Sequence, residues 1–155
     1  MKKRLRIWKS PWHVAHDYAL MNALKEVADF DLLVNYTRRW DERARPLPDN
    51  AKWVTHFQPG IYDLAILNID QQCSSPNLNK AILPGHMKQA IEESGQPCPI
   101  VWINHATPVY PEYYPDGTRD NEYVSEQLKK EILSIVKPYP MIVNSYQAAK
   151  DWGYG

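Results

Sequence analysis

Three of the chain's five histidines fall where an apolar run gives way to polar residues. His105 lies in Pro99-Ile-Val-Trp-Ile-Asn-His-Ala-Thr-Pro108. The Ile/Val-rich start of that stretch reads as a strand buried on both faces. Asn104, His105 and Thr107 then sit at the strand's carboxyl end, the edge at which open α/β sheets bind ligands. An imidazole there can hydrogen-bond a substrate or face developing charge; it can equally tie its own loop to a backbone carbonyl. His13, His16 and Asp17 follow the first apolar run, in Pro11-Trp-His-Val-Ala-His-Asp17. If that segment is helical, His13 and Asp17 share a face at i, i+4. A histidine oriented by a carboxylate is what a general base requires, although the same residues suit a plain surface helix start. His13-x-x-His16 has metal-ligand spacing but no third ligand in view, so no metal is expected.

The elements that must hold these groups alternate between two periods. Leu5–Trp8, Phe30–Tyr36, Ala51–Phe57, Tyr62–Asp70, 99–103 and Met141–Asn144 read as strands. Ala15, Ala19, Leu20, Ala23, Leu24 and Val27 recur at helical spacing after Ser10-Pro11, which resembles an N-cap followed by a first-turn proline. Further helices are predicted over Gly85–Ser94, stopped by Gly95, over Asn121–Val136, and over Tyr146–Trp152, capped by Ser145. Val109–Gly117, rich in Tyr and Pro, reads as a loop in which Tyr110, Tyr113 and Tyr114 could act as a lid, and the polar stretch Thr37–Asn50 reads as a second loop. This alternation predicts an α/β fold: a Rossmann-like three-layer α/β/α sandwich with a mainly parallel sheet of about six strands. At 155 residues the chain is expected to form one domain, 1–155.

Composition narrows the function classes. The chain is 44% hydrophobic and 23% charged, with net charge zero. The balance is uneven: residues 1–45 hold ten Lys/Arg against six Asp/Glu, and 46–155 hold eight against twelve. The basic start suits either solvated strand ends or a patch facing a phosphorylated ligand or an anionic membrane surface. Nucleic-acid binding would show a larger positive excess, so no nucleic-acid partner is expected. Cys73 and Cys98 have no metal or redox spacing, and two free thiols in a reducing cytoplasm are expected. No run is long enough to span a membrane. There is no glycine before Gly60, hence no GxGxxG after the first strand; GxxxxGK[ST], GxSxG and HExxH are also absent. A standard dinucleotide site, a P-loop and an α/β-hydrolase site are therefore not expected.

Three stretches in order resemble the N-terminal half of GT-B glycosyltransferases, the family-4-like group above all. They are Arg6-Ile-Trp-Lys-Ser-Pro-Trp-His-Val-Ala-His-Asp-Tyr-Ala-Leu20, Val101-Trp-Ile-Asn-His-Ala-Thr-Pro108 and Met141-Ile-Val-Asn-Ser-Tyr-Gln-Ala-Ala-Lys-Asp-Trp-Gly153. The first departs from the family in lacking its glycine-rich loop. The resemblance implies an acceptor-side domain that transfers a hexosyl group from a nucleotide sugar to a hydroxyl acceptor. It implies no cofactor beyond that donor, and a C-terminal donor-binding domain, absent from these residues, supplied in cis or in trans. His105, His13 and Asp17 are the expected catalytic groups; Trp12, His16, Asn104, Thr107, Asn144 and Ser145 are the expected substrate contacts. Trp12, Tyr18 and Trp40 present ring faces on which a sugar could stack. The alternative is a non-enzymatic α/β domain that binds a ligand or partner at the same edge. A receiver-type domain fits less well, because the loop after the first strand carries histidines where that class needs acids.

Overall fold

In the computed structural model the described residues are 3–34, 40–70, 84–105, 109–113, 119–123 and 126–154. Six strands form one all-parallel sheet: β1 (Leu5–Lys9), β2 (Ala28–Leu33), β3 (Ala51–Val54), β4 (Leu64–Asn68), β5 (Ile100–Asn104) and β8 (Met141–Val143). Their order is β3-β2-β1-β4-β5-β8. The chain thus builds outward from β1 in one direction, then returns to β1's other side at β4 and builds the opposite way. That is the Rossmann-like order, with its topological switch between β1 and β4. The register pairs Ile7 with Phe30 on one side of β1 and with Leu64 on the other.

Period-two alternation on these strands produces two cores. Ile7, Phe30, Leu32, Ile66 and Ile103 face one side, where Met21 of α1 (Val14–Ala23) packs among them. Trp8, Ala65, Leu67, Ile100 and Trp102 face the other. There they meet Met87 and Ile91 of α2 (Pro84–Glu92), Ile132 and Val136 of α3 (Glu126–Val136), and Trp152 of α4 (Tyr146–Trp152). Trp8, Trp102 and Trp152 are each no more than 2% exposed. Three layers follow from strands that bury both faces. No helix stands between β2 and β3 among the described residues, and the β3–β4 connection is irregular. Its Phe57 and Tyr62 cover Trp8 instead, with Phe57 edge-on at 5.1 Å. Beside them Asp31, 2% exposed, accepts hydrogen bonds from the Arg6 guanidinium at 2.8 Å and the Tyr62 hydroxyl at 3.0 Å.

The structure corrects the sequence reading in three places. Helix α1 starts at Val14 with His13 as N-cap, not at Ser10-Pro11. Strand β1 runs through Lys9, and Lys9 and Ser10 are both buried, so the chain cannot turn into a helix that early. The segment read as a Tyr/Pro loop contains β6 (Val109–Tyr113), paired antiparallel with β7 (Arg119–Tyr123), and Pro111 sits opposite Asn121. A two-stranded ribbon has only edge strands, where proline is tolerated. In consequence α3 begins at Glu126 rather than Asn121, because 121–123 are engaged in the ribbon. Helix α4 and its Ser145 cap stand as read, with Ser145 Oγ accepting from the Ala148 N–H at 3.0 Å. Gly95 takes φ +80°, a left-handed conformation suited to a helix stop.

Candidate functional site

The carboxyl ends of β1, β4, β5 and β8 lie along one rim, and the polar residues that follow them meet there. After β1 the chain runs Ser10-Pro11-Trp12-His13 into α1. Trp12 is held at both ends by acids. Its backbone N–H donates to Asp17 Oδ2 at 2.8 Å, and its indole N–H donates to Asp70 Oδ2 at 2.6 Å. Asp17, in the first turn of α1, thus reaches back across the helix start, where a negative charge also suits the helix dipole. Its other oxygen pairs with Lys9 Nζ at 2.9 Å, and both side chains are closed to solvent, at 2% and 0% exposure. A buried pair of this kind is strongly destabilising to break, because the remaining charge is left without a partner.

The clamp around Trp12 sets His13 and, one turn on, His16 opposite His105, which enters from the end of β5. The His16 and His105 rings lie 4.2 Å apart by centroid, His13 and His105 5.2 Å apart in an edge-to-face arrangement, and His13 and His16 5.8 Å apart. His16 is exposed; His13 and His105 are half-buried. Burial above all, then His16 and His13, push the His105 pKa down from 6.5 to about 4, with Asp17 pulling weakly the other way. At neutral pH this imidazole carries no charge, so it offers one donor and one acceptor nitrogen. Among the described residues no group of three or more His, Cys, Asp or Glu side chains is arranged to hold a metal ion.

The remaining expected contacts are placed as follows. Asn104 is 1% exposed and donates to the Tyr154 hydroxyl at 3.0 Å, which ties the end of β5 to the residues after α4. Asn144 is exposed and donates to the His105 carbonyl at 2.8 Å, so the turn after β8 holds the turn after β5. Ser145 is spent on capping α4. Trp12 is 3% and Trp40 9% exposed, and Tyr18 packs against the α1-side core. Thr107, Cys73 and Tyr114 lie outside the described residues. Cys98 is a free buried thiol, and burial pushes it up to about 11.

Two groups central to the rim were not singled out from sequence: Lys9 and Asp70. Each follows or closes a stretch that was read as a strand, and a polar residue at a strand's carboxyl end is the signal that marks them. The basic start of the chain belongs elsewhere. Lys3 pairs with Asp63, Arg4 with Asp29 and Arg6 with Asp31, all toward the amino ends of the strands. A cavity of about 350 Å³ opens at that end, lined by Arg6, Asp29, Asp31 and Lys52 among others. Arg6 and Lys52 there both pair with Asp31, and Asp29 pairs with Arg4, whereas the only ion-pair contact among the described rim histidines is His13's approach to Asp70. The rim is therefore the candidate site.

The chain matches no family model and no curated protein sequence. Fold and rim define a Rossmann-like α/β domain whose carboxyl edge carries a three-histidine cluster at the topological switch. No described helix is long and apolar enough to cross a membrane.

Proposed function

We propose that this domain is the acceptor-side half of a GT-B-type, family-4-like glycosyltransferase, moving a hexosyl group from a nucleotide sugar to a hydroxyl acceptor. The observation that carries this reading is the meeting of His13, His16 and His105, from two distant segments, at the rim beside the β1/β4 switch. Open α/β sheets bind ligands there. An uncharged His105 can hydrogen-bond sugar hydroxyls as donor and acceptor at once. The buried ion pair beneath α1 holds the ring cluster in place, as a preorganised site requires. The donor nucleotide is bound chiefly by a second, donor-binding domain in cis or in trans, and no metal takes part. The buried free thiol of Cys98 suits a reducing cytoplasmic setting.

The test is an NMR titration of the chain with nucleotide sugars and with oligosaccharide acceptors. Acceptor binding is expected to shift signals of residues 12–17, 104–105 and 144–145, and His105→Ala to weaken it about fivefold to tenfold, the value of one hydrogen bond. Shifts confined to the cavity around Arg6 and Asp31 would place the site at the wrong end of the sheet. Tight binding of a ligand with no sugar transfer after the donor-binding half is added would replace the enzyme with a binding module.

A further inference from the structure

Three imidazoles meet where the turn after β5 faces the start of α1, and they are not held alike. The segment carrying His13 and His16 is fixed from beneath. Lys9 pairs there with Asp17, both closed to solvent, and Asp70 holds the Trp12 indole. His105 is anchored through its backbone, whose carbonyl accepts from the Asn144 side chain at 2.8 Å. Its ring makes no hydrogen bond or ion pair among the described residues. Contact alone keeps the ring inward: with His16 at 4.2 Å between centroids, and with His13 at 5.2 Å, edge to face. Half-buried at an open rim, the ring reaches solvent by rotation about its own side-chain bonds, with β5 left in place.

That contact suits an uncharged His105. The charged and titratable groups acting on it are His13, His16 and Asp17 at the start of α1 and Lys9 of β1. Asp17 is already matched by Lys9, and Asp70 approaches His13. A proton on His105 therefore sets a cation in a half-buried place beside two imidazoles and an ammonium, with no spare carboxylate among these groups.

We propose that His105 is an acid-operated gate on the rim: uncharged, it lies against His13 and His16 and completes the binding surface; protonated, it swings out to solvent and that surface comes apart. The gate's control of acceptor binding rests on the glycosyl-transfer reading above; the swing itself does not. In solvent the ring has its ordinary affinity for a proton. In the cluster, burial and then His16 and His13 push its pKa down from 6.5 to about 4. The outward pose therefore gains on the inward one as pH falls through that interval, by up to on the order of a hundredfold, and gains nothing above it. A ligand that needs the inward ring is released over the same interval, and its binding in turn makes His105 harder to protonate.

The first measurement is a pH titration by NMR of the full chain labelled at histidine, with the His105 ring identified by His105→Phe. Ring-to-ring contacts between His105 and His16 are expected at pH 7. Between pH 6.5 and 4 they are expected to vanish as His105 takes up its proton, while the backbone amides of β1, β5 and α1 keep their folded pattern. Contacts that persist once His105 is protonated overturn the proposal. So does a loss of contacts that comes only with loss of the folded pattern, since that is unfolding. His16→Gln, at an exposed position, removes the nearest ring and is expected to raise the pH at which His105 is protonated. An unchanged midpoint overturns the role of the cluster.

The second measurement titrates a neutral oligosaccharide acceptor into the chain at pH 7 and at pH 4.5. Wild-type affinity is expected to fall about tenfold or more at the lower pH. His105→Phe, whose ring takes no proton, is expected to bind more weakly than wild type at pH 7 and equally at both pH values. Wild-type affinity that is equal at both pH values while the ring contacts are lost defeats the gating of the site. Lost contacts with no acceptor binding at either pH defeat the glycosyl-transfer reading and leave the swing standing.

Discussion

His105 is one residue at which pH enters this molecule. Its folded pKa, about 4, lies below the ordinary 6.5, so between those values the unfolded chain binds the proton that the folded chain refuses. Stability therefore falls as pH drops through that window and levels off below it; above 6.5 the group has no effect. For a half-buried ring the swing is on the order of 1–3 kcal/mol after allowing for solvent screening. His105→Asn is expected to flatten this part of the acid loss, seen as a smaller gap between melting temperatures at pH 7 and pH 4.5. An unchanged gap would mean that the ring is charged in the folded state. At this scale the sequence was only partly legible. His105 at a strand's end and the two histidines after β1 stood out by type and position. Their carboxylate partners did not, because i, i+4 spacing describes neighbours on a helix and His13 lies just outside one. A contact across the sheet, such as His13 to Asp70, leaves no trace in local spacing.

At the scale of elements, the strands and caps follow local rules and the ribbon does not. Ser145 takes extended backbone at φ −161° and satisfies the Ala148 N–H, while Gly153 closes the same helix at φ +80°. Ser145→Ala is expected to cost about 1 kcal/mol, read as a lower denaturation midpoint with an unchanged m-value. A larger loss would show that the exposed serine does more than cap. Apolar runs gave away β4 and β5, since strands buried on both faces have no polar alternation to blur them. The β6/β7 ribbon was hidden because Pro, Asp, Asn and Glu carry little strand signal and a ribbon this short draws its order from pairing rather than from composition. Missing it displaced the start of α3.

At the scale of the whole molecule, both cores hang on the same strands. Ile7 and Trp8 are adjacent residues of β1, yet one belongs to the α1 side and the other to the side of α2, α3 and α4. Neither layer can lose its packing while the other keeps its sheet. Trp102, 0% exposed on interior strand β5, is the test position. Trp102→Ala is expected to remove about 3–5 kcal/mol. Circular dichroism and tryptophan fluorescence should then report one coincident urea transition. Two separated transitions would divide the chain into independent units. The layer architecture was legible in the alternation of strand and helix. The strand order, and with it the switch between β1 and β4, was not, since no local pattern records which strand lies beside which.

The turn after β1 carries no glycine, and the first glycine in the chain is Gly60. Main-chain amides there cannot close around a diphosphate as a glycine loop does. Whatever docks at that corner is greeted by imidazoles, with the Trp12 indole buried behind them. Preference among visitors is thus written in replaceable side chains, and it can be redrafted by single substitutions without recasting the loop itself.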